Sequence, residues 1–374
     1  MRFGLLWTAP ATLPLAAAVQ ETAARLGLST GKGLAGLIKQ RFSKGVLYPA
    51  VLVVTCANVF NIGADLGSMA SSIRLLIPGP FALFIVVITI TTLALEVFVP
   101  YHRYSKVLRW LALSLGAYIA VLVAANVNWS SVARHTFIPS FHPTRTSIAA
   151  LIAILGTTIS PYLFFWQCSE EVEEEIEHRN EGRVADHHLR AMRVDVVAGM
   201  ASAVAVMFAI MVASAATLGA HGVTTVQTAD QAARALKPIA GGLSSLLFTL
   251  GIVGTGMLAV PVLAGSTAYA LAETFGWNEG LYRKLRDAHG FYATILAAMG
   301  VGLVLNFVGI NPIRALYLSA ILNGLAAPPL IVLMLILSNS RSVLGARTSG
   351  PLSNALLTIA AVAMAGLPIA YLFR

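Results

Sequence analysis

The sequence predicts an all-α polytopic membrane protein with about ten transmembrane helices. The composition is the first indication: 57% of the residues are hydrophobic and only 11% are charged, against about 45–50% and about 25% in soluble domains. The mean hydropathy of +0.79 is the second. The third is the recurrence of apolar stretches of roughly 20 residues, the length that spans a bilayer. This composition excludes intrinsic disorder, a nucleic-acid-binding domain and a disulfide scaffold.

Ten apolar stretches have this length, and we number them as spans one to ten: 3–26, 46–77, 81–99, 107–127, 148–166, 194–218, 243–269, 291–308, 315–337 and 355–373. They are too long for transmembrane strands and lack strand alternation. The chain has two cysteines, Cys56 and Cys168, both in or beside apolar runs. We predict that both are buried free thiols rather than a disulfide.

The basic residues predict the orientation. Connections after the odd-numbered spans hold 16 Lys and Arg residues, and the opposite side, including both termini, holds 8. The net charge of +9 is therefore interpreted as the positive-inside pattern, with the odd connections in the cytoplasm. This orientation puts the N-terminus outside, although only Met1 and Arg2 precede the first span. An additional helix upstream would return the N-terminus to the cytoplasm, so we expect one to be missing.

Span two is rich in polar residues. Gly63, Gly67 and Ser71 form a stripe of small residues that lets another helix approach closely. Asp65 lies off this stripe, within one or two turns of Asn61 and other amide and hydroxyl side chains. A carboxylate at membrane depth predicts either a hydrogen-bonded packing network or a proton or cation relay.

Span five carries the clearest local signal. Gly156 and Pro161 enclose Thr157, Thr158 and Ser160 in the middle of the span. Pro161 removes a backbone donor and clashes one turn back, which predicts a broken helix. Carbonyls freed at such a break can coordinate a cation. The alternative is an ordinary proline kink whose carbonyls are satisfied by the threonine hydroxyls.

The remaining polar segments favour structural interpretations. The acidic run 170–177 is expected to continue the fifth helix as a solvated face, or to form an acidic vestibule for cations. Glu21 and Arg25 are predicted to form an ion pair near the inner surface, and Glu96 is interpreted as structural. Asn323 in span nine is a further candidate for lining a polar site. The sequence contains none of the hydrolase, metalloprotease or nucleotide-binding motifs that would indicate an enzyme.

Three segments resemble the natural resistance-associated macrophage protein (Nramp) family of divalent-metal transporters. Residues 19–34 resemble the end of that family's second helix and the loop after it, 96–108 resemble its fourth-to-fifth-helix loop, and 156–161 resemble the break in its sixth helix. The resemblance runs from the family's second helix to its eleventh. It implies an inverted-repeat, LeuT-like transporter fold that lacks its first helix here. Residues 1–127 would be the remainder of the first repeat, 148–337 the second repeat and 355–373 the extra helix.

The resemblance also implies roles for individual residues. Thr157 stands at the position whose carbonyl binds metal, Ser160 at that of the usual methionine, and Tyr162 at that of a histidine. Asp65 stands at the position of a carboxylate tied to proton movement. The family's usual metal-facing glutamine corresponds to Ala320, and the aspartate and asparagine ligands of its first helix have no counterpart. Because oxygen ligands suit harder ions than a thioether does, the change to serine favours Mn²⁺ or Mg²⁺, with Fe²⁺ still possible as a substrate.

The sequence-based hypothesis is thus a proton-linked secondary transporter of divalent cations (Mn, Fe or Mg) in the bacterial inner membrane. The metal ion is its substrate, no separate cofactor is expected, and its partners are the ion and the bilayer, without nucleic acid. The alternatives are a non-transporting remnant and a carrier of amino acids or other small solutes on the same architecture. The oligomeric state is left open.

Overall fold

The computed structural model describes residues 3–99, 110, 116, 118–119, 122, 127–139, 143–177, 186–219, 226–237 and 241–373, and it contains no strand within them. Its α-helices are α1 Thr8–Thr30, α2 Leu34–Arg41, α3 Lys44–Ile73, α4 Phe81–Phe98, α5 Trp129–Phe137, α6 Arg145–Thr158, α7 Pro161–Glu177, α8 Asp186–Thr217, α9 Ala229–Ala233, α10 Ser244–Phe275, α11 His289–Leu305, α12 Pro312–Ser338, α13 Arg341–Leu344 and α14 Pro351–Leu372.

Nine of the ten predicted spans coincide with helices in the described part of the chain, and the fourth, 107–127, lies largely outside it. Seven segments are long and apolar enough to cross a membrane among the described residues. Helix α11, with 17 residues, is shorter, and α1 carries Gln20, Glu21 and Arg25 in its second half. The predicted span five is two helices, α6 and α7.

Helix α3 occupies the centre of the bundle and packs against α4, α10, α11 and α12. Apolar side chains fill the space on both sides of it. One cluster lies between α1, α7, α12 and α14 and includes Leu26, Phe164 and Met334. The other lies between α3, α10 and α11 and includes Met69 and Phe291. Polar groups on the faces of α3 that meet these four helices therefore lie among protein side chains rather than lipid.

Small residues set the closest helix crossings. A Cβ atom on Gly63 would come within 2.8 Å of the carbonyl oxygen of Gly302 on α11. One turn on, Gly67 lies against Asn306, whose side-chain amide donates to the carbonyl of Gly63 at 2.8 Å. Gly156 on α6 crosses α12 so closely that a Cβ atom there would overlap the backbone of Ala320 and Gly324. The small-residue stripe predicted in span two therefore makes the contact expected of it.

Connections after odd-numbered spans meet at one end of the bundle, which we call the inner end. Arg25 Nη1 donates to the carbonyl of Arg347 at 2.8 Å, and the amide of Gly36 donates to Glu273 Oε2 at 2.6 Å. Arg25 also pairs with Glu21 at 3.2 Å, as predicted. Segments that follow even-numbered spans meet at the opposite end, around a cavity of about 470 Å³ bordered by 71–81, 227–230 and 306–313.

One prediction about cysteine is half wrong. Cys168 is a buried free thiol as expected, but Cys56 is exposed on the side of α3. The residues that flank it in sequence within one turn, Leu52 and Val53, are also exposed apolar side chains, 62% and 43% accessible. This face of α3 therefore has no helix of the described part of the chain against it, and it is apolar enough to meet lipid.

The sidedness can be tested with epitope tags. We expect a tag inserted between α7 and α8, within 178–185, to be cytoplasmic, because basic residues concentrate at the inner end. A tag in the 220–238 connection should be extracellular. Labelling of tags on intact and permeabilised cells measures both, and surface labelling of the first tag would contradict the orientation.

The close crossing of α6 and α12 predicts that Gly→Ala substitutions at two positions have different effects on the midpoint of thermal unfolding. Gly156→Ala should lower the midpoint of thermal unfolding in detergent, because its methyl group would overlap the α12 backbone, and overpacking costs about 1–3 kcal/mol. The matched control is Gly300→Ala on α11, where the added Cβ atom meets no atom within 4 Å. It should be neutral or stabilising by up to about 1 kcal/mol, since alanine favours helix over glycine. Equal midpoints for the two variants would contradict the crossing.

Candidate functional site

The predicted break lies between α6 and α7. Helix α6 ends at Thr158, and Ile159, at its C-terminal boundary, has the non-helical angles φ −114° and ψ 67°. Pro161 begins α7. In a continuous helix the amide of residue 161 would donate to the carbonyl of residue 157, but proline has no N–H group. The carbonyl of Thr157 is therefore the one that Pro161 deprives of its helical donor.

Ser160 stabilises the open end of α6. Its side chain is buried, 1% exposed, and its hydroxyl donates to the carbonyls of Gly156 at 2.6 Å and Thr157 at 3.2 Å. A hydroxyl that donates its hydrogen still has lone pairs on oxygen. The side chain of Thr157 is exposed. The break thus presents a carbonyl and a hydroxyl oxygen, at the helix end where the macrodipole favours cations.

The threonine hydroxyls do not close the break. Thr158 donates to the carbonyl of Ile154 at 2.7 Å, inside its own helix, and lies 3.5 Å from the sulfur of Met207 on α8. The ordinary kink, with its freed carbonyls satisfied by threonine, therefore does not describe this geometry. The hydroxyl of Ser160, not a threonine hydroxyl, donates to the carbonyls of Gly156 and Thr157.

Asn323 lies next to the same crossing. Its neighbour Gly324 contacts the backbone of Ile152 and Gly156. Asn323 is 2% exposed, and its side-chain oxygen has no hydrogen-bond partner in the described part of the protein. A buried unpartnered amide oxygen is costly, so this group is available to a ligand or a water molecule near the break.

Asp65 lies on the α3 side of α7. It is half-buried and close enough to Tyr162, in the first turn of α7, for the two side chains to interact electrostatically. It makes no hydrogen bond with any described residue. Ser68 and Ser72 donate instead to α3 carbonyls one turn earlier, those of Ala64 and Ser68, each at 2.8 Å. Asp65 is therefore not part of a hydrogen-bonded packing network among the described residues. Asn61, one turn earlier and half-buried, does not form a hydrogen bond with Asp65.

A different polar network fixes α7 to α3. The amide of Asn58 donates to Thr267 at 3.0 Å and to Ser266 at 3.4 Å on α10. Ser266 in turn donates to the carbonyl of Tyr162 at 2.9 Å. Asn58 is one of the amide side chains that the sequence places within two turns of Asp65, and the sequence does not identify the two α10 hydroxyls. No local pattern distinguishes them from other hydroxyl residues in apolar helices.

A carboxylate-rich metal centre is absent from the described residues. No group of three or more His, Cys, Asp or Glu side chains there is arranged to hold a metal ion. Glu175 and His178 have the Glu-x-x-His spacing of some carboxylate-bridged metal sites, but His178 lies outside the described residues. A metal at the break would have to use carbonyl, hydroxyl and amide oxygens with water, a set that suits hard cations.

Carboxylates line a cavity of about 420 Å³ at the inner end. Glu273 accepts from the amide of Gly36 at 2.6 Å and from Ser169 at 3.1 Å. Glu173 accepts from the hydroxyl of Tyr269 and from the amide of Leu281. Three connections that are distant in sequence are thus held together by two acidic side chains. Of the two alternatives for the acidic run, a solvated face and an acidic vestibule, the position of Glu173 at this cavity favours the vestibule.

Glu279 lies in the loop that borders this cavity. One oxygen of its carboxyl group is buried without a hydrogen-bond partner in the described structure. Burial, followed by the charges of Glu273 and Glu173, raises the pKa of Glu279 from 4.5 to about 9, with Arg283 acting in the opposite direction.

Comparison with known proteins places these features in context. Residues 1–374 match the sequence model of the family described as natural resistance-associated macrophage protein-like. The divalent metal cation transporter MntH of Clostridium acetobutylicum is 26% identical over 361 residues, which cover 92% of this chain and 77% of that protein. MntH of Verminephrobacter eiseniae is 28% identical over 374 residues, covering 97% and 80%.

Two solved structures share the fold. The manganese transporter of Eremococcus coleocola superimposes with a TM-score of 0.77 at 17% identity, over 98% of this chain and 79% of that chain. A transporter of the nucleobase-cation-symport-1 family gives 0.60 at 14% identity, over 100% and 85%. The all-α transporter fold predicted from the sequence is thereby confirmed.

The raised pKa of Glu279 predicts a pH-dependent stability. Above pH 4.5 the unfolded chain loses this proton while the folded chain keeps it up to about pH 9, so stability should fall as the pH rises between these values. Glu279→Gln should raise the unfolding midpoint at pH 8 and flatten its pH dependence. The control is Asp287→Asn, an exposed carboxylate in the same loop. A Glu279→Gln profile as steep as that of the control would contradict the assignment.

Proposed function

The chain belongs to the natural resistance-associated macrophage protein-like family, and from this premise we propose that it carries Mn²⁺ across the bacterial inner membrane together with protons. The chain is an integral membrane transporter of divalent metal cations of the Nramp type, not an enzyme. The metal ion is its substrate.

One observation carries the proposal: the carbonyl of Thr157 loses its helical donor to Pro161 beside an exposed surface. A cation there would meet this carbonyl, the oxygen of Ser160 and the negative end of the α6 dipole. Thioether sulfur favours softer metals; the sulfur of Met207 lies 3.5 Å from the hydroxyl of Thr158 and is not one of these groups. The nearby oxygen groups thus support Mn²⁺ or Mg²⁺, and the names of the MntH relatives and of the manganese transporter favour Mn²⁺ over Mg²⁺ and Fe²⁺.

Asp65 supports the proton-linked part of the proposal. It is a carboxylate on the central helix, it faces the first turn of α7 through Tyr162, and no described cation pairs with it. A charge added or removed there would act directly on the half-helix that has to move when the site opens. The electrostatic interaction between Asp65 and Tyr162 supports a link between a titratable group and the α7 side of the break.

The fold is also compatible with the alternative function, a carrier of amino acids or other small organic solutes. The nucleobase-cation transporter shares the architecture at a TM-score of 0.60, so the fold alone does not choose between metal and organic solute. The family match over the whole chain favours the metal. A non-transporting remnant is the remaining alternative, and it predicts that no substrate is taken up.

Uptake by reconstituted vesicles tests the function. We expect saturable ⁵⁴Mn²⁺ uptake that is stimulated by an inward proton gradient and is not inhibited by amino acids. Asp65→Asn should flatten the pH dependence while the protein stays folded, and Asp230→Asn, in an exposed ion pair with Arg234, should behave as the parent. Absence of metal uptake would contradict the proposed transport of Mn²⁺. A pH profile of Asp65→Asn equal to that of the parent would contradict the proposed role of Asp65 in proton coupling.

Ser160 should set metal preference. Ser160→Met replaces an oxygen ligand by a thioether, so competition by Cd²⁺ for Mn²⁺ uptake should increase. The control is Ser160→Ala, which removes the oxygen without adding sulfur and should weaken Mn²⁺ uptake without favouring Cd²⁺. Equal Cd²⁺ competition in the two variants would show that the side chain at 160 does not contact the metal.

A further inference from the structure

Glu96, near the inner end of α4, is a buried carboxyl group without a partner. The residue is 5% exposed, and neither of its carboxyl oxygens has a hydrogen-bond partner in the described structure. The hydroxyl of Thr92, one turn earlier on α4, is buried in the same way, 1% exposed and likewise unpartnered. Two polar groups on one face of this helix are thus enclosed without hydrogen bonds.

Within the described part of the chain, the surroundings of Glu96 do not compensate a negative charge. Leu93 and Val97 on the same helix pack into the apolar cluster around α10 and α11. Helix α4 contacts α3, α10 and α11. On α11, Tyr292 is the titratable side chain that interacts with Glu96. No described charged side chain of α3 or α10 does so. A buried carboxylate without a counter-ion is strongly disfavoured, and such a group takes up a proton instead.

Tyr292 connects this position with the inner end. It is 2% exposed, and its hydroxyl donates to the carbonyl of Arg283 at 2.8 Å, in the loop that follows α10. The same tyrosine interacts electrostatically with Glu173, which lines the inner cavity. Tyr292 therefore interacts electrostatically both with Glu96 and with a carboxylate that lines the inner cavity.

We propose that Glu96 is a proton-binding site: it holds a proton in this conformation and releases it to water at the inner end, past Tyr292, when the bundle rearranges. The proton leaves a carboxylic acid and reaches water or a cavity carboxylate, so a neutral group becomes a carboxylate and one positive charge is delivered inside. The coupling of this step to metal uptake rests on the proposed function, whereas the protonation of Glu96 does not. This site is separate from Asp65, which faces α7.

Infrared spectroscopy of the full chain in lipid tests the protonation without any transport. The carbonyl stretching band of buried protonated carboxylic acids should be present at pH 7 and shift on transfer to D₂O. Glu96→Gln should remove the component that belongs to Glu96, while the component of the protonated Glu279 remains. Asp287→Asn, an exposed carboxylate of the loop after α10, should leave the band unchanged. Persistence of the whole band in Glu96→Gln, or its absence from the parent, would overturn the inference.

The folding of the variant adds a second test. Glutamine has the shape of a neutral glutamic acid, so Glu96→Gln should unfold at the same or a higher temperature than the parent at pH 8. A large loss of stability in Glu96→Gln would show that the folded protein needs the negative charge, and it would overturn the inference without any infrared signal.

Release of the proton is measured in vesicles. Proton movement driven by a Mn²⁺ gradient, followed with a pH-sensitive dye, should be lost or fall severalfold in Glu96→Gln, while metal uptake by the variant becomes independent of pH. If the infrared band belongs to Glu96 but Glu96→Gln shows the same proton movement and pH profile as the parent, Glu96 keeps its proton during transport. The proposed release step would then be wrong. If the parent takes up no Mn²⁺, the proposed function fails while the infrared result still decides the protonation.

Discussion

A proline in the middle of a membrane-spanning helix is the constraint on which the site depends. Inside a bilayer every backbone carbonyl has to be satisfied within the protein or face a cavity. Pro161 cannot serve the carbonyl of Thr157, so the span divides into α6 and α7. Ser160 donates to the open end, and Gly156 lets α12 pass close beside it. On the other side of the break, Ser266 donates to the carbonyl of Tyr162 and joins α7 to α10.

This arrangement separates two kinds of polar group. Near the break the available ligands are mostly neutral oxygens, which can bind a partly hydrated hard cation without trapping it. The carboxylates are instead grouped at the inner end, where Glu173 and Glu273 bind backbone amides of connections from distant parts of the sequence. A cation that leaves the break towards the inner end would thus pass from neutral ligands to an acidic, solvated region.

The sequence predicts local features well and long-range contacts poorly. Apolar length places the described spans, Pro161 places the break, and Gly63 with Gly67 indicates a close crossing, because each effect acts within a few residues. The sequence does not indicate that Glu273 binds the amide of Gly36, 237 residues away, or that Asn58 bonds to α10 rather than to Asp65. It also does not show that Cys56 faces outward while Glu96 is enclosed. Apolar spans resemble one another in composition, so only the packing decides which face of each is buried.

The central claim is that the metal binds where Pro161 deprives Thr157 of its donor. Anomalous diffraction at the manganese edge from crystals grown with Mn²⁺ tests it directly. The account predicts a peak at coordination distance, about 2.0–2.6 Å for hard cations, from the carbonyl oxygen of Thr157 and close to the oxygen of Ser160. A peak among the carboxylates of the inner end, with none at the break, would contradict it.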